Sequence, residues 1–366
     1  MLPQIAYSRW FVVGVCLLTI ASASGVMVPA VAQADEREYE SPEIRKAIQT
    51  LQKNGAHVDF YENYEESTSY YVNLYATKAS DDNLQALLVL PRVERLWLGA
   101  NFELSPRSWG TLTQLGELEH LHLFGDPTDD DLAQLALFTN LVSLQLNGQR
   151  YTPQGLWYLE ELTRLEQLSL KLDGDCEPYF TYLARLPNLS QLSVYDPDAK
   201  TASLNGIEKL KKLNTLAVNF GKIEGDALQS VADLPLLKNL TITNATFAEK
   251  DLDVFRKLRL LEHLSLHYCE FPDSNLEAFE GLEKLQHLSI SNTNLIDEAL
   301  AHLSKLPSLN YLHLNLTPIT DEGLKHLHLA RGLETLHLRS TEVTAEGVAA
   351  LSAAVPNLRV IAPMNN

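Results

Sequence analysis

Apolar residues recur along this chain in a fixed pattern, L-x-x-L-x-L, and successive copies begin 23–25 residues apart, most often 24, as at Leu309 and Leu333. Full copies follow one another from Val93 onward, and a weaker copy that contains Val72 precedes them. Within a copy, such as residues 309–314, apolar and polar positions alternate. A period of two is typical of a β-strand that buries one face, so each copy predicts one short strand.

The second half of each copy predicts a short helix. In the copy after Leu314, Thr320 or Asp321 can cap the first backbone N–H groups of a helix. Leu324 and Leu327 then follow at helical spacing. One copy cannot bury its own leucines, whereas stacked copies bury them in one continuous core. We therefore predict an α/β repeat solenoid, a right-handed horseshoe with parallel strands on its concave face and short helices on its convex face.

The repeated units resemble leucine-rich repeats, specifically the short bacterial type that ends in T-D-x-G-L. The best matches are residues 319–324, I-T-D-E-G-L, and residues 343–348, V-T-A-E-G-V. The units are also similar to the cysteine-containing class found in F-box proteins. The resemblance covers residues 69–361, about 12 units, although the loops at 173–176 and 196–200 depart from the pattern. The layout as a whole looks like exported, internalin-like proteins of bacteria such as planctomycetes.

Residues 1–34 have the layout of an export signal. Arg9 precedes an apolar run, and small residues near Ala32 and Ala34 offer cleavage sites. Cleavage would leave no stable membrane span and would place the protein outside the cell or in the periplasm. The alternative is an uncleaved membrane anchor, which Gly25 and Pro29 make a poor spanning helix.

The two ends of the array are expected to differ. Residues 35–68 predict an N-terminal cap, because a helix can begin at Ser41 and Pro42, end at Asn54 and Gly55, and be followed by a strand. Residues 362–366 are a short C-terminal tail.

Composition excludes several functions. The chain carries 47 acidic residues against 29 Lys and Arg, a formal net charge of −18, which disfavours a nucleic-acid partner. No nucleophile–base, zinc-protease or phosphate-loop motif appears, so we expect neither an enzyme nor a cofactor. Cys176 and Cys269 lie four repeats apart, about 19 Å at the usual strand spacing, so we expect no disulfide between them.

The outward strand positions form the candidate binding surface, here called the polar face. It consists of Tyr71, Asn73 and Tyr75 and the equivalent three positions of each later copy. These 36 positions contain no Asp or Glu, yet they hold seven of the eleven histidines of the chain. The residues predicted to contact a partner are Tyr71, Arg95, Trp97, His120, His122, Phe124, Gln145, Gln167, Tyr195, Asn239, His263, His267, His287, Tyr311, His313, His337 and Arg339.

The histidines of the later copies allow three interpretations. They are ordinary solvated residues, a pH-sensitive part of a protein-binding surface, or a metal site that joins His263 and His287 with His267 or His313. No carboxylate or thiolate of the polar face lies beside them, so we predict no metal site.

The sequence therefore predicts a non-catalytic, exported scaffold that binds a protein or peptide on its concave face. The alternative is a glycan or cell-wall polymer bound by the same face, since polar amides and aromatic rings suit both ligands. An intracellular substrate receptor, which the F-box resemblance would imply, is disfavoured by the export signal.

Overall fold

The computed structural model describes residues 41–62, 68–76, 81–99, 104–148, 150–172, 176–196, 203–220, 225–272 and 276–362. The predicted export signal, most of the two irregular loops and the end of the tail lie outside these ranges. None of the helices in the described ranges is long and apolar enough to cross a membrane.

The chain divides into two compact units. Within the described ranges, the N-terminal unit comprises residues 41–172 and 178–192, and the C-terminal unit comprises residues 176–177 and 193–362. In each unit the strands follow one another in chain order. The N-terminal unit contains β1 His57–Glu62, β2 Thr68–Leu74, β3 Val93–Leu98, β4 His120–Leu123, β5 Ser143–Leu146 and β6 Gln167–Lys171, and β7 Gln191–Asp196 includes residues of both units. The C-terminal unit contains β8 Thr215–Phe220, β9 Asn239–Thr243, β10 His263–His267, β11 His287–Ser291, β12 Tyr311–His313, β13 Thr335–His337 and β14 Arg359–Ile361.

The strand pairing follows the predicted register. β1 and β2 form an antiparallel pair, whereas β2 to β6 and β8 to β14 pair in parallel with their neighbours. Leu264, Leu288 and Leu312 are register partners on three successive strands, and each is at most 1 % exposed. Such leucines stabilise the fold by about 1.5–3 kcal/mol each, so the repeated core is the main source of stability.

The second halves of the repeats divide into two kinds of helix. The α-helices are α1 Pro42–Lys53, α2 Asp81–Leu87, α3 Pro106–Leu112, α4 Asp129–Leu135, α5 Glu177–Leu183, α6 Ala299–Leu303, α7 Asp321–His326 and α8 Ala345–Ala354. The 3-10 helices span Gln154–Glu161, Ile207–Lys209, Gly225–Asp233, Glu249–Lys257, Glu277–Gly281 and Leu327–Leu329.

Capping explains much of this division. Ser105, Thr128, Thr320 and Thr344 each accept a hydrogen bond from the first turn of an α-helix. The residues before two of the 3-10 helices are Gly206 and Leu276, which make no such bond. A hydroxyl at this position satisfies an N–H that is otherwise unpaired and so favours the regular helix. Two elements are exceptions. α6 begins after Glu298 without a side-chain cap, and the 3-10 helix Gln154–Glu161 follows Thr152, whose hydroxyl accepts from the Gly155 N–H at 3.3 Å.

The first helix begins and ends where the sequence predicts. The Ser41 side chain accepts from the Ile44 N–H at 3.3 Å, and Pro42 occupies the first turn. Asn54 is the C-cap, and Gly55 follows with a φ of 91°, in the left-handed region that favours glycine. Leu51 is fully buried, so the apolar face of α1 packs against the rest of the unit.

Both described cysteines are buried. The Cys269 thiol lies 3.4 Å from the His267 carbonyl oxygen and 3.6 Å from that of Ile242, to which it donates weak hydrogen bonds. The two thiols are not joined to each other, as their separation of four repeats predicts.

Candidate binding surface

Residues one repeat apart on the polar face lie side by side. In the N-terminal unit, Arg95 pairs with His120 and Trp97 pairs with His122 on the neighbouring strand. The strands are parallel and in register, so equivalent side chains form columns across the sheet. The first, second and third columns contain the residues equivalent to Tyr71, Asn73 and Tyr75, respectively. These four side chains are half-buried, because each packs against its neighbours in the column.

Trp97 is the centre of an aromatic cluster in this unit. Its ring centroid lies 5.3 Å from that of Tyr71, edge to face, and 4.8 Å from that of His122. Beside it, Tyr75 and Phe124 meet edge to face at 5.0 Å. Aromatic pairs in these geometries attract each other beyond their shared burial, so the cluster is held in place before any partner arrives.

Burial makes the histidines of this cluster poor bases. It lowers the pKa of His122 to about 3, with His120 and Arg95 contributing, while a hydrogen bond with Gln145 acts in the opposite direction. Burial, together with Arg95, lowers the pKa of His120 to about 4. Burial raises the pKa of Tyr71 to about 12. These side chains are therefore uncharged at neutral pH and present hydrogen-bonding groups and ring surface.

An ion-pair network borders the cluster. Glu94 precedes Arg95 in β3 and accepts a hydrogen bond from the Tyr61 hydroxyl. Arg92 lies 3.7 Å from Glu94 and 3.8 Å from Glu119, and Arg164 lies 3.7 Å from Glu119. The acidic residues thus lie beside the polar face and are neutralised by arginines.

Glu94, Glu119 and His120 are the one combination in the described ranges whose metal-ligand atoms lie within 4.8 Å of one another as a group of three or more. Arg92 lies within 3.8 Å of both carboxylates. A guanidinium so close repels a divalent cation, and it already supplies the positive charge that the carboxylates require. We therefore assign these residues to the ion-pair network.

The sequence predicts that Gln145 contacts a partner, but this prediction is wrong, since only 2 % of the residue is exposed. It lies in the second column beside His122 and donates to the Asn147 side chain at 3.4 Å. Packing of the adjacent columns closes over the amide, so Gln145 supports its neighbours. Gln167 and Phe124 are half-buried on the face, as are Tyr195 on β7 and Asn239 on β9.

In the C-terminal unit the first column is a ladder of rings. His263 and His287 stack with centroids 4.5 Å apart, and His287 stacks on Tyr311 at 5.4 Å. Tyr311 then contacts His337 at 5.2 Å. The stack follows from the register, since these residues, except His337, pair directly on β10, β11 and β12.

Hydrogen bonds join this ladder to the second column. The Tyr311 hydroxyl lies 3.1 Å from Nε2 of His337. His313 contacts His337 at 4.9 Å between ring centroids, and its Nδ1 lies 3.3 Å from the Ser289 hydroxyl. Nε2 of His313 is shielded from solvent and has no hydrogen-bond partner in the described parts of the chain.

The five histidines that the C-terminal unit contributes to the polar face have pKa values below the ordinary value. Burial, with His337, His267 and Arg339 contributing, lowers the pKa of His313 to about 4. Burial also lowers the pKa of His263 and of His287. The same cause lowers the pKa of His267 and, together with Arg339 and Arg359, that of His337. The ladder is therefore neutral at neutral pH.

The geometry of the rings bears on the metal interpretation. The ring planes of His263 and His287 are inclined by 25°, so the two imidazoles present faces to each other. Within the described ranges, these histidines do not belong to any group of three ligand atoms within 4.8 Å. Stacking and hydrogen bonding account for their positions.

Two residues that sequence reasoning missed lie at the edge of the polar face. Tyr268 and Leu316 follow the third column and are 48 % and 52 % exposed. Their φ angles of 55° and 58° lie in the left-handed region, where Asn244 and Asn292 occupy equivalent positions. Their place in the repeat, 24 residues after Asn244 and Asn292, is the sequence signal that could have identified them.

Comparison with known proteins places the fold. An internalin of Listeria monocytogenes, InlF, is 21 % identical over 89 % of this chain and 95 % of its own, with a TM-score of 0.54. The Toll–Spätzle complex of Drosophila matches at 15 % identity over 79 % of this chain and 46 % of that one, with a TM-score of 0.47. A leucine-rich-repeat protein of Leptospira interrogans matches at 17 % identity over 77 % and 92 % of the two chains, with a TM-score of 0.36.

No family model matches the sequence, and no curated protein matches it either. The likeness to the internalin, together with the parallel sheet and its short helices, confirms the predicted fold as a leucine-rich-repeat solenoid.

Proposed function

We propose that this protein is a non-catalytic, exported scaffold that binds a protein or peptidic partner on its polar face. In this proposal residues 1–34 direct export, residues 35–68 cap the array, and residues 69–361 carry the binding surface. One observation carries the proposal: the polar face has no acidic residue in a chain with a net charge of −18, and it presents aromatic rings, histidines, amides, hydroxyls and a few cationic side chains.

A surface that serves only solubility would carry charges of both signs. Depletion of Asp, Glu and Lys together with enrichment of Tyr, Trp and Arg is instead typical of the centre of a protein interface. Tyr71, Trp97 and Tyr311 are the aromatic side chains best placed for this role, because each is half-buried and keeps part of its ring accessible. Large rings of this type supply most of the binding energy in measured interfaces.

The side chains are also held in place in advance. Trp97 packs between Tyr71 and His122, and Tyr311 packs between His287 and His337. Ordering a free side chain on binding costs about 0.5–1.5 kcal/mol. Residues fixed by their column neighbours avoid much of this cost, which favours binding of a folded partner or an extended peptide.

The test captures the partner from a native cell-envelope extract with residues 35–366 as bait, and then measures the purified complex by calorimetry. Trp97→Glu should weaken binding by about 30-fold or more, since loss of a central tryptophan costs about 2 kcal/mol or more. His287→Glu and Tyr195→Glu should weaken it as well.

Trp157→Glu is the matched control. Trp157 lies in the 3-10 helix Gln154–Glu161, is 55 % exposed and is outside the polar face. The Trp157→Glu variant should bind the partner as tightly as the wild type does, and circular dichroism should show that both tryptophan variants fold. Equal binding by Trp97→Glu and wild type would contradict the proposal. Capture of a cell-wall polymer in place of a protein would support the glycan alternative.

A further inference from the structure

The C-terminal unit contains a compact group of hydrogen-bonding rings that the proposed function does not by itself explain. Tyr311, His313 and His337 are in mutual contact, with ring centroids 4.9–6.5 Å apart. Arg339 follows His337 by two residues and is exposed. We call these four residues the histidine–arginine patch.

One atom of the patch lacks a partner. Nε2 of His313 is shielded from solvent and makes no hydrogen bond within the described ranges, while Nδ1 of the same ring lies 3.3 Å from the Ser289 hydroxyl. Buried polar atoms in native proteins are nearly always hydrogen-bonded, so an exception points to a function. In a protonated imidazole both nitrogen atoms donate, and an acceptor beside Nε2 would complete the ring.

The charges around the patch have one sign. Arg339, His337 and His267 are the charged or titratable groups that act on His313, and Arg339 and Arg359 act on His337. The neighbouring strand β11 contributes His287 and otherwise neutral side chains. Charges farther away than about 8 Å are largely screened at physiological salt. An approaching group therefore meets a positive, hydrogen-bond-donating patch on an acidic protein.

Resting on the proposed function, we infer that the histidine–arginine patch binds carboxylates of an acidic peptide segment in the partner. Arg339 supplies the permanent charge and a planar set of donors that matches a carboxylate. His337 and His313 supply further donors and gain protons as the carboxylate binds. Side chains of the patch must shift to bring the shielded Nε2 of His313 into contact.

Protonation of the two histidine rings and binding of a carboxylate should favour each other. Burial, with His337, His267 and Arg339 contributing, holds the pKa of His313 at about 4. Burial, with Arg339 and Arg359 contributing, holds the pKa of His337 below its ordinary value. A nearby carboxylate raises the pKa of both rings. Because binding linkage is reciprocal, protonation of the rings must in turn tighten carboxylate binding. Affinity should therefore rise as the pH falls from 7.5 to 5.5, while glutamate side chains remain mostly ionised.

The test uses an N-acetylated, C-amidated pentaglutamate peptide and residues 35–366 of this chain. Calorimetry at pH 7.5 and 5.5 gives the affinity, and the NMR signals of the histidine rings give their pKa values with and without peptide. We expect binding about tenfold tighter at pH 5.5, with raised pKa values for His337 and His313. Pentaglutamine, which has the same length and no charge, should not bind.

Two variants and two controls locate the site. Arg339→Gln should weaken pentaglutamate binding by about tenfold or more, and His337→Gln should reduce its pH dependence. Arg331→Gln and His326→Gln remove an exposed arginine and an exposed histidine outside the polar face and should bind as the wild type does.

The inference is overturned if pentaglutamine binds equally, if affinity falls with pH, or if Arg339→Gln has no effect. Binding of a sulfated polysaccharide but not of pentaglutamate would also overturn it. If a captured partner is lost by Trp97→Glu but retained by Arg339→Gln, the proposed function stands and the carboxylate assignment fails. If both variants, Trp97→Glu and Arg339→Gln, still bind the captured partner, the proposed function and the carboxylate assignment are both wrong.

Discussion

The carboxylate of Asp321 accepts two hydrogen bonds from Thr344 in the next repeat, one from the backbone N–H at 2.8 Å and one from the hydroxyl. The Thr344 hydroxyl also accepts from the Gly347 N–H at 3.2 Å and so caps α8. Asp297 holds Thr320 with the same pair of bonds. The T-D-x-G motif therefore acts between repeats, because the threonine of one unit caps its own helix and binds the aspartate of the unit before.

Removal of that aspartate should destabilise the array. Asp321→Ala deletes two hydrogen bonds to a charged acceptor, and the free energy of unfolding should fall by about 1–2 kcal/mol. Urea denaturation measures the change. Glu322→Ala is the control, since Glu322 is exposed and pairs with Lys325 one turn away, and it should move the midpoint little. Equal losses in the two variants would show that the bonds between repeats contribute nothing.

The motif requires a glycine at position 347 because the Asp321 carboxylate of the preceding repeat lies close to its Cα. A Cβ on Gly347 would overlap the Asp321 carboxylate, so Gly347→Ala should destabilise the protein. The matched substitution Gly110→Ala, inside α3 with open space around the new methyl group, should instead stabilise it by about 0.5–1 kcal/mol. In the Asp321→Ala background the cost of Gly347→Ala should shrink, and thermal unfolding of the four proteins gives this coupling.

Leu316 occupies a backbone conformation better suited to asparagine. With φ near 58° and half of its side chain exposed, Leu316 gains little from burial to offset its conformational cost. Leu316→Asn should raise the free energy of unfolding by about 1 kcal/mol. The reverse exchange at the equivalent position, Asn292→Leu, should lower it by a similar amount. A stability gain that comes with weaker partner binding would place Leu316 in the interface.

Acid should weaken the N-terminal unit through its buried histidines. In the folded state the pKa of His122 is about 3 and that of His120 about 4, both below the ordinary value of 6.5. The unfolded chain therefore binds more protons in this range, so stability falls as the pH drops from 6.5 toward 4. His122→Gln should flatten the slope of unfolding free energy against pH between 6.5 and 4.5. His326→Gln, whose ring is exposed, should leave the slope unchanged.

The two cysteines should resist modification in the native protein. Burial raises the pKa of the Cys269 thiol to about 12, and both thiols are buried. Little thiolate forms at Cys269 at pH 8, and burial shields both sulfur atoms, so a chromogenic disulfide reagent should label neither Cys176 nor Cys269. After unfolding in guanidinium without reductant, both should react. Labelling of the native protein, or none after unfolding, would contradict the structure.

Much of the candidate surface follows from periodicity alone. A 24-residue repeat of parallel strands places residue i beside residue i + 24, so the pairing of His263 with His287 can be predicted from the sequence. The absence of Asp and Glu from the polar face is likewise a property of the sequence. The contacts within a column cannot be predicted in this way, because ring orientation depends on how each side chain packs against its neighbours.

The sequence by itself determined the solenoid, its register and the chemical character of the polar face, because each depends only on which residue types recur at a fixed spacing. Only the tertiary structure decided that Gln145 is buried, that His263 and His287 stack, and that Nε2 of His313 has no hydrogen-bond partner among the described residues. These properties depend on close packing between side chains of neighbouring repeats, where displacements of an ångström decide exposure, hydrogen bonding and pKa.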